Sequence, residues 1–148
     1  MKIIFVPIDF SSVTAAVVEQ AAQLATAFAA KVWLLHVAPP EPDFVGYEDG
    51  PKTVRDQVAH EMHESHSRVQ DEANTLRARG IDATALQVQG PTTETILHEA
   101  ERLCADVIVL GSHGHGALHR ALLGSVSEGV LHGATCPVLI LPSRPAAS

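Results

Sequence analysis

The segment from Val107 to Ser127, VIVLGSHGHGALHRALLGSVS, constrains the fold more than any other part of this sequence. It begins with four apolar residues, a length and β-branched content typical of a buried strand. Gly111, Gly114 and Gly116 then fall within six residues, and Gly124 follows just before a helical apolar pattern. A strand, a glycine-rich loop and a serine-rich helix start form an arrangement in which backbone N–H groups can surround a phosphate.

Further apolar runs typical of strands precede and follow this segment, at Ile3–Ile8, Val32–Val37, Ala83–Val88 and Val138–Leu141. Between the runs, apolar residues recur at helical spacing, which predicts helices after a cap at Ser11 or Ser12, from Val54 to Gly80, after Thr92 and from about Gly124 to His132. Strands that alternate with helices predict an α/β fold, with a parallel sheet covered by helices on both faces.

Three strand ends point to a binding site. Asp9 ends the first predicted strand, Val37 the second and Gly111 the fourth. Ligands of such sheets lie beyond the carboxyl ends of the strands, where the winding direction reverses. If the first and fourth strands are neighbours, the three residues converge on one crevice.

Length and charge narrow the class of ligand. The 148 residues fit one domain, and the formal net charge is −7 with histidines neutral. No basic stripe is present to neutralise phosphates, which excludes a nucleic-acid partner. A mononucleotide is still allowed, because backbone amides can hold most of it.

The amino terminus and the cysteines bear on location. MKIIFVPIDF is apolar for only a few residues and predicts a strand rather than a signal peptide. No run reaches the length of a membrane span, so we expect a cytoplasmic protein without a membrane partner. Cys104 continues a helical apolar face and Cys136 precedes a strand, which predicts that both are small buried hydrophobes.

The glycine spacing carries a resemblance. The chain contains no Gly-Lys-Ser/Thr, and His119 stands where a dinucleotide fingerprint needs glycine. The pattern Gly111-x2-Gly114-x9-Gly124-Ser125 instead resembles the nucleotide loop of the universal stress protein family, in its ATP-binding branch. VPIDFSS, LLHV, ADVIVLGSHGHG and CPVLILP are similar to that family as well, so the resemblance covers essentially the whole chain.

The resemblance implies a site for ATP, with Mg²⁺ or Mn²⁺ coordinated largely by phosphate oxygens. Asp9 would accept hydrogen bonds from ribose hydroxyls, and the backbone of Val37 would meet the adenine edge. Residues of the glycine loop would line the ribose and phosphates, and the start of the last helix would bind phosphate oxygens. The full predicted set is Pro7, Ile8, Asp9, Val37, Leu110, Gly111, His113, Gly114, Gly124, Ser125, Val126 and Ser127. From the residues alone, Asp9 could equally cap the following helix, and Val37 could simply be a core strand residue.

The predicted architecture is a three-layer, Rossmann-like sandwich formed by a single domain over residues 1–148. Its five-stranded parallel sheet has the order 3-2-1-4-5. Residues 38–52, rich in proline and acidic residues, are predicted to be a mobile loop, and residues 142–148 a tail. An apolar edge strand at Val138–Leu141 predicts a homodimer about a two-fold axis, which the family resemblance also implies.

No catalytic constellation stands out in the sequence, which favours binding over catalysis. We predict an ATP-binding regulatory protein and no dedicated enzyme. One alternative is a slow ATP hydrolase, with His113, His115 or Ser127 positioning water. The other is a structural dimer module that binds no nucleotide.

The remaining histidines are given structural interpretations. His113, His115 and His119 lie close together, but no third ligand is set by spacing, so no protein metal site is predicted. His60, His63 and His66 drift around the second helix and are expected to face solvent, and His36 is expected to be a hydrogen-bonded core residue.

Overall fold

The computed structural model describes residues 1–40, 52–113 and 123–143. The elements, in chain order, are β1 (Ile3–Pro7), α1 (Thr14–Phe28), β2 (Lys31–Ala38), α2 (Lys52–Ala78), β3 (Ala83–Gln89), α3 (Thr92–Arg102), β4 (Val107–Gly111), α4 (Ser125–Gly133) and β5 (Val138–Leu141). Every predicted strand and helix is present. The predicted mobility of residues 38–52 concerns mainly residues 41–51, which lie outside the described ranges.

The strands form one parallel sheet in the order β3-β2-β1-β4-β5. This confirms the predicted order, including the condition that the first and fourth strands are neighbours. In the register of β1 and β4, Ile4 lies opposite Val107 and Phe5 opposite Ile108. The winding direction reverses between these two strands, so a crevice is expected at their carboxyl ends.

The sheet separates two apolar cores. On one face, Ile4 and Val6 pack with buried residues of α1 and α2, such as Val17 and Leu76. On the other face, Phe5 and the rest of the second core pack with α3 and α4: Leu35, Ile96, Ala100, Ile108, Leu110 and Val130. Because successive side chains of a strand point to opposite faces, neighbours in β1 belong to different cores. The result is the predicted three-layer sandwich.

The predicted serine cap of α1 is wrong. The helix begins at Thr14, and its N-cap residue Val13 makes no side-chain capping bond. Ser11 belongs instead to the preceding turn, where its N–H donates to Asp9 Oδ1 at 3.0 Å and its carbonyl accepts from Thr14 N–H at 3.1 Å. Because of these turn contacts, α1 begins two residues after Ser12.

The predicted burial of Cys104 is also wrong. Helix α3 ends at Arg102, and Cys104 adopts a left-handed φ of 54° that exposes its side chain. The chain turns there to enter β4, which periodicity cannot reveal. Cys136 is half-buried.

His60, His63 and His66 are exposed, as predicted. No helix in the described part of the chain is long and apolar enough to span a bilayer.

Candidate functional site

A cleft of about 410 Å³ opens at the carboxyl ends of β1, β2 and β4. Eleven of the twelve predicted site residues line it: Pro7, Ile8, Asp9, Val37, Leu110, Gly111, His113, Gly124, Ser125, Val126 and Ser127. The twelfth, Gly114, lies outside the described residues, as do His115 and His119. Asp9 follows β1, and Ser125 begins α4. Both residues therefore line one cleft. We call this space the cleft throughout.

Pro7 explains why the hydrogen-bonded pairing of β1 with β4 stops before the end of β1. Ile8 N–H donates to the carbonyl of Leu35 in β2 at 2.8 Å, so by alternation the nitrogen of Pro7 faces β4. Proline has no N–H, and it cannot extend the ladder on that side. The paired register with β4 accordingly stops at Phe5, whereas pairing with β2 continues through Pro7.

Gly111 closes the bottom of the cleft against α1. A Cβ atom at this position would collide with Cγ1 of Val13, so only glycine lets β4 and the start of α1 approach this closely. The Gly111 carbonyl accepts a hydrogen bond of 2.6 Å from Ser127 Oγ. This bond ties the first turn of α4 to the end of β4.

The Ser127 hydroxyl is part of the scaffold of the site. Ser127 is 4% exposed, and its hydroxyl donates to the Gly111 carbonyl. Ser125, by contrast, is exposed. At the start of α4, backbone N–H groups and the Ser125 hydroxyl are therefore the groups offered to a ligand.

The first turns of three helices line the cleft: α1 at Val13 and Thr14, α3 at Thr92, and α4 at Gly124 and Ser125. The first N–H groups of a helix have no intrahelical acceptor, and the first such bond in α4 runs from Glu128 N–H to the Gly124 carbonyl at 2.9 Å. These ends carry partial positive charge. The described lining residues include no lysine or arginine, so attraction for an anion comes from backbone groups.

Sequence reasoning missed six of the residues that line the cleft: Val13, Thr14, Val17, Leu35, Thr92 and Ile96. Thr92 was accessible in principle, since it starts a helix after a strand on the same edge of the sheet. Thr14 Oγ1 is buried without a hydrogen-bond partner, which marks this wall as an incompletely satisfied polar surface.

Asp9 is exposed in the cleft, and its Oδ1 accepts the Ser11 N–H. It does not cap α1, because that helix starts five residues later, at Thr14. Val37, also on the wall of the cleft, is half-buried and pairs in register with Val88 of β3.

Ser112 holds the far side of the site together, although nothing in the sequence singled it out. Its N–H donates to the Leu141 carbonyl at 2.8 Å, and its carbonyl accepts from Gly124 N–H at 2.8 Å. Its hydroxyl accepts from Ser143 N–H at 3.0 Å and lies 3.0 Å from His113 Nδ1. One buried residue thus joins β4, the end of β5 and the start of α4, and orients the His113 ring.

His36 lies near Asp9, on the α1 and α2 face of β2. It is half-buried, and its ring centroid is 4.9 Å from that of Phe10. Burial lowers the pKa of His36 and Arg68 lowers it further, whereas the neighbouring Gln87 and the Asp9 carboxylate raise it. His36 therefore favours the neutral form, but the predicted hydrogen-bonded core role is met only in part, because the residue is half-buried and its Nδ1 has no hydrogen-bond partner.

The described residues contain no group of three or more His, Cys, Asp or Glu side chains that could hold a metal ion. Any cation at this site would accordingly take most of its ligands from a bound molecule.

Comparison with known proteins relates the whole chain to one group. Residues 1–142 match the universal stress protein family. The universal stress protein MJ0531 of Methanocaldococcus jannaschii is 32% identical over 142 residues, which cover 95% of this chain and 81% of that protein. The structure of UspA from Lactobacillus plantarum superposes with a TM-score of 0.83 at 22% identity, over 95% of this chain and 97% of the other.

Two further structures with the same fold contain nucleotides. A universal stress protein in complex with cAMP has a TM-score of 0.72 at 22% identity, and covers 97% of this chain and 98% of its own. One from Archaeoglobus fulgidus in complex with dAMP has a TM-score of 0.65 at 19% identity, with coverages of 95% and 97%.

Proposed function

The chain belongs to the universal stress protein family, and we propose that it is an ATP-binding, homodimeric regulatory member of that family, located in the cytoplasm. One observation carries the proposal: the first turns of α1, α3 and α4 converge on the cleft that Asp9 and Gly111 also line. Several positive helix ends around a space whose described lining contains no lysine or arginine suit a phosphate chain held by backbone groups. The cleft volume of about 410 Å³ lies in the usual range for small-molecule sites.

The residues divide into two groups by the part of the nucleotide that they would meet. Asp9 would accept hydrogen bonds from the ribose hydroxyls, with Pro7 and Ile8 beneath it, and the backbone of Val37 would bind the adenine edge. Gly124, Ser125 and the N–H groups of Val126 and Ser127 would bind phosphate oxygens. Leu110, Gly111, His113 and Gly114 would lie between the two groups.

Adenine is the base that the comparisons favour. Two proteins of this fold have been solved with adenine nucleotides, cAMP and dAMP, so the architecture can accommodate that base. Mg²⁺ or Mn²⁺ would accompany ATP. Because no cluster of acidic or histidine ligands is found among the described residues, phosphate oxygens and water would supply most of its coordination.

Binding is favoured over hydrolysis because the described lining of the cleft offers few ionisable side chains, Asp9 and His113. Asp9 Oδ1 accepts the Ser11 N–H and His113 Nδ1 lies 3.0 Å from Ser112 Oγ, so His113 Nε2, which has no hydrogen-bond partner, is the candidate base of the hydrolase alternative. A general base for water needs a nitrogen or oxygen that reaches the terminal phosphate. We therefore expect a regulatory protein whose turnover of ATP is at most slow.

The homodimer would form through β5. This strand is an edge of the sheet, and Leu139 within it is 37% exposed. Exposed apolar edges are usually covered, and the same strand of a second copy would cover this one about a two-fold axis. Leu139→Lys should convert the dimer to a monomer in light scattering after size exclusion. Phe28→Lys, which changes a more exposed apolar residue at the end of α1, should leave the dimer intact.

The nucleotide proposal is tested by mass spectrometry of the denatured, freshly purified protein, followed by calorimetric titration with ATP and Mg²⁺ and a turnover assay. We expect bound adenine nucleotide and negligible turnover. Fast turnover that His113→Ala abolishes would support the hydrolase alternative. Absence of nucleotide and of any thermal shift with millimolar ATP would leave only the structural dimer module.

Gly124→Val sharpens this test. A branched side chain at the N-cap of α4 would fill the space proposed for phosphate while keeping an extended backbone, since Gly124 has φ −63° and ψ 158°. We expect ATP affinity to fall by about 100-fold or more, with little change in thermal stability. Ala59→Val, an exposed change on α2, is the control. Unchanged affinity in Gly124→Val would contradict the placement of the phosphates.

A further inference from the structure

We propose that Phe10 is a positioning residue that fixes the direction of the Asp9 carboxylate in the cleft, and that Arg68 of α2 holds Phe10 in place. This inference rests on the proposed binding of a nucleotide. It assigns the preference for ribose hydroxyls to a contact outside the lining of the cleft, on the α1 and α2 side of the sheet.

The backbone changes direction at this position. Ile8 is the last residue that bonds to β2, through its N–H and the Leu35 carbonyl. Asp9 follows, and Phe10 adopts a left-handed φ of 60°. A left-handed conformation is unfavourable for a residue with a large side chain, so contacts of that side chain must maintain it.

The Phe10 ring has such contacts on two elements. Its centroid is 4.9 Å from the His36 ring of β2, and Arg68 Cζ of α2 lies 4.1 Å from the centroid. The ring also packs against the core between the sheet, α1 and α2. Arg68 is exposed on α2 and lies over the ring from the solvent side, while the next residue, Val69, is fully buried and fixes this turn of the helix on the sheet. A cation over the ring face adds an attraction that packing alone lacks.

Two constraints therefore act on Asp9 from either side. Before it, Ile8 is fixed in the sheet, and after it, the Phe10 ring fixes the next backbone unit. The Ser11 N–H bond to Oδ1 holds the carboxylate across the turn. A carboxylate held in its binding orientation loses less conformational entropy when a ligand arrives. Without the ring, the turn is free to leave its left-handed conformation and the carboxylate loses this orientation.

The experiment compares calorimetric affinities for ATP and for 2′,3′-dideoxy-ATP, which lacks the hydroxyls that Asp9 would bind. We expect the wild type to prefer ATP by about tenfold or more, since a hydrogen bond to a charged group is at stake. Asp9→Asn should reduce this ratio toward one. Phe10→Ala should do the same while changing the affinity for dideoxy-ATP by no more than about twofold. Phe10→Tyr should retain the ratio, and Arg68→Met should reduce it partly.

Val69→Ala is the matched control, because it shortens a fully buried side chain of the same core and leaves the Phe10, His36 and Arg68 side chains unchanged. It should lower the melting temperature and keep the ratio. The inference is overturned if Phe10→Ala weakens both nucleotides equally, or if it leaves the ratio at the wild-type value. A wild type that binds both nucleotides equally would overturn it while nucleotide binding stands. A wild type that binds neither would overturn the proposed function itself, and this inference with it.

Discussion

Two cavities lie at opposite ends of the parallel strands, one at the carboxyl ends and one at the amino ends, and α3 and α4 contribute to both. The cleft, of about 410 Å³, meets the first turns of α3 and α4. A second space of about 230 Å³, which we call the small cavity, meets their last turns, and its lining includes Leu97, Ala100, Cys104, Ile108, Gly133 and Cys136. In a parallel α/β sandwich every helix runs antiparallel to the strands. All helices therefore start near the carboxyl ends of the strands and end near their amino ends.

The two ends of the sheet therefore differ in electrostatics although they share helices. Unpaired N–H groups at helix starts favour an anion in the cleft, whereas unpaired carbonyls at helix ends disfavour one in the small cavity. The small cavity also disfavours an anionic thiol, for separate reasons. Burial raises the pKa of Cys136, and the carboxylate of Asp106 raises it further, so the neutral thiol is favoured. The direction of the helices, more than the choice of side chains, decides which end can hold phosphate.

The largest expected effect comes from a side chain at Gly111. Because a Cβ atom there would meet Val13, Gly111→Val should destabilise the fold by about 1–3 kcal/mol and abolish measurable ATP binding. Urea unfolding and calorimetric titration measure the two effects. The counterpart at the small cavity is Gly133→Ala, whose Cβ would lie 2.6 Å from the movable Leu97 Cδ1. That variant should keep ATP affinity, and equal losses in both variants would contradict the assignment of the ligand to the cleft.

The two serines of α4 separate scaffold from ligand contact. Ser127→Ala removes the buried bond to the Gly111 carbonyl and should lower the free energy of unfolding by about 1 kcal/mol. Ser125 is exposed, so Ser125→Ala should leave unfolding unchanged and weaken ATP binding by about fivefold to tenfold. Urea unfolding and titration of both variants check this division. It fails if Ser125→Ala is the less stable of the two.

The cysteines report on the small cavity. Cys104 is exposed and Cys136 is half-buried with a raised pKa, so an aromatic disulfide reagent should modify Cys104 faster by about tenfold or more. The modification rates of Cys104→Ser and Cys136→Ser show which cysteine gives the fast reaction and which the slow one. Saturating ATP should leave both rates unchanged, because neither cysteine lines the cleft. Protection of Cys136 by ATP would show that ATP binds at the small cavity and not in the cleft.

The smallest expected effect concerns pH. Since burial lowers the pKa of His36, the unfolded chain binds this proton more readily than the folded protein. The stabilisation from neutral His36 is then complete above its ordinary pKa of about 6.5 and is lost as the pH falls below that value. The melting temperature should drop less between about pH 7.5 and about pH 5.5 in His36→Gln than in the wild type. An equal drop would contradict this assignment.

Prediction from sequence succeeded where a property depends on neighbours along the chain. The strand at Val138–Leu141 was found at its predicted bounds, because a short apolar run bounded by proline has few other conformations. Asp9, Val37 and Gly111 were brought together by one rule, that parallel strands end at the same edge. The rule applied because each residue closes an apolar run.

Prediction failed where a residue's environment comes from distant segments. Cys104 lies in phase with an apolar helix face, yet the helix stops before it and the side chain is exposed. Ser127 follows a glycine-serine pair typical of phosphate binding, yet its hydroxyl bonds to a carbonyl 16 residues earlier. Phe10 adopts a left-handed φ and its ring contacts Arg68 of α2, neither of which any local pattern predicts.

The sequence by itself determined the order of strands and helices, the α/β class and the three strand ends that form one edge, because hydrophobic periodicity and parallel connectivity are local or topological properties. Only the tertiary structure decided which of the two serine hydroxyls is buried, which cysteine meets solvent and which side chains contact the Phe10 ring. Those outcomes depend on hydrogen bonds and packing between segments far apart in the chain, and their geometry exists only once the sheet and its helices have assembled.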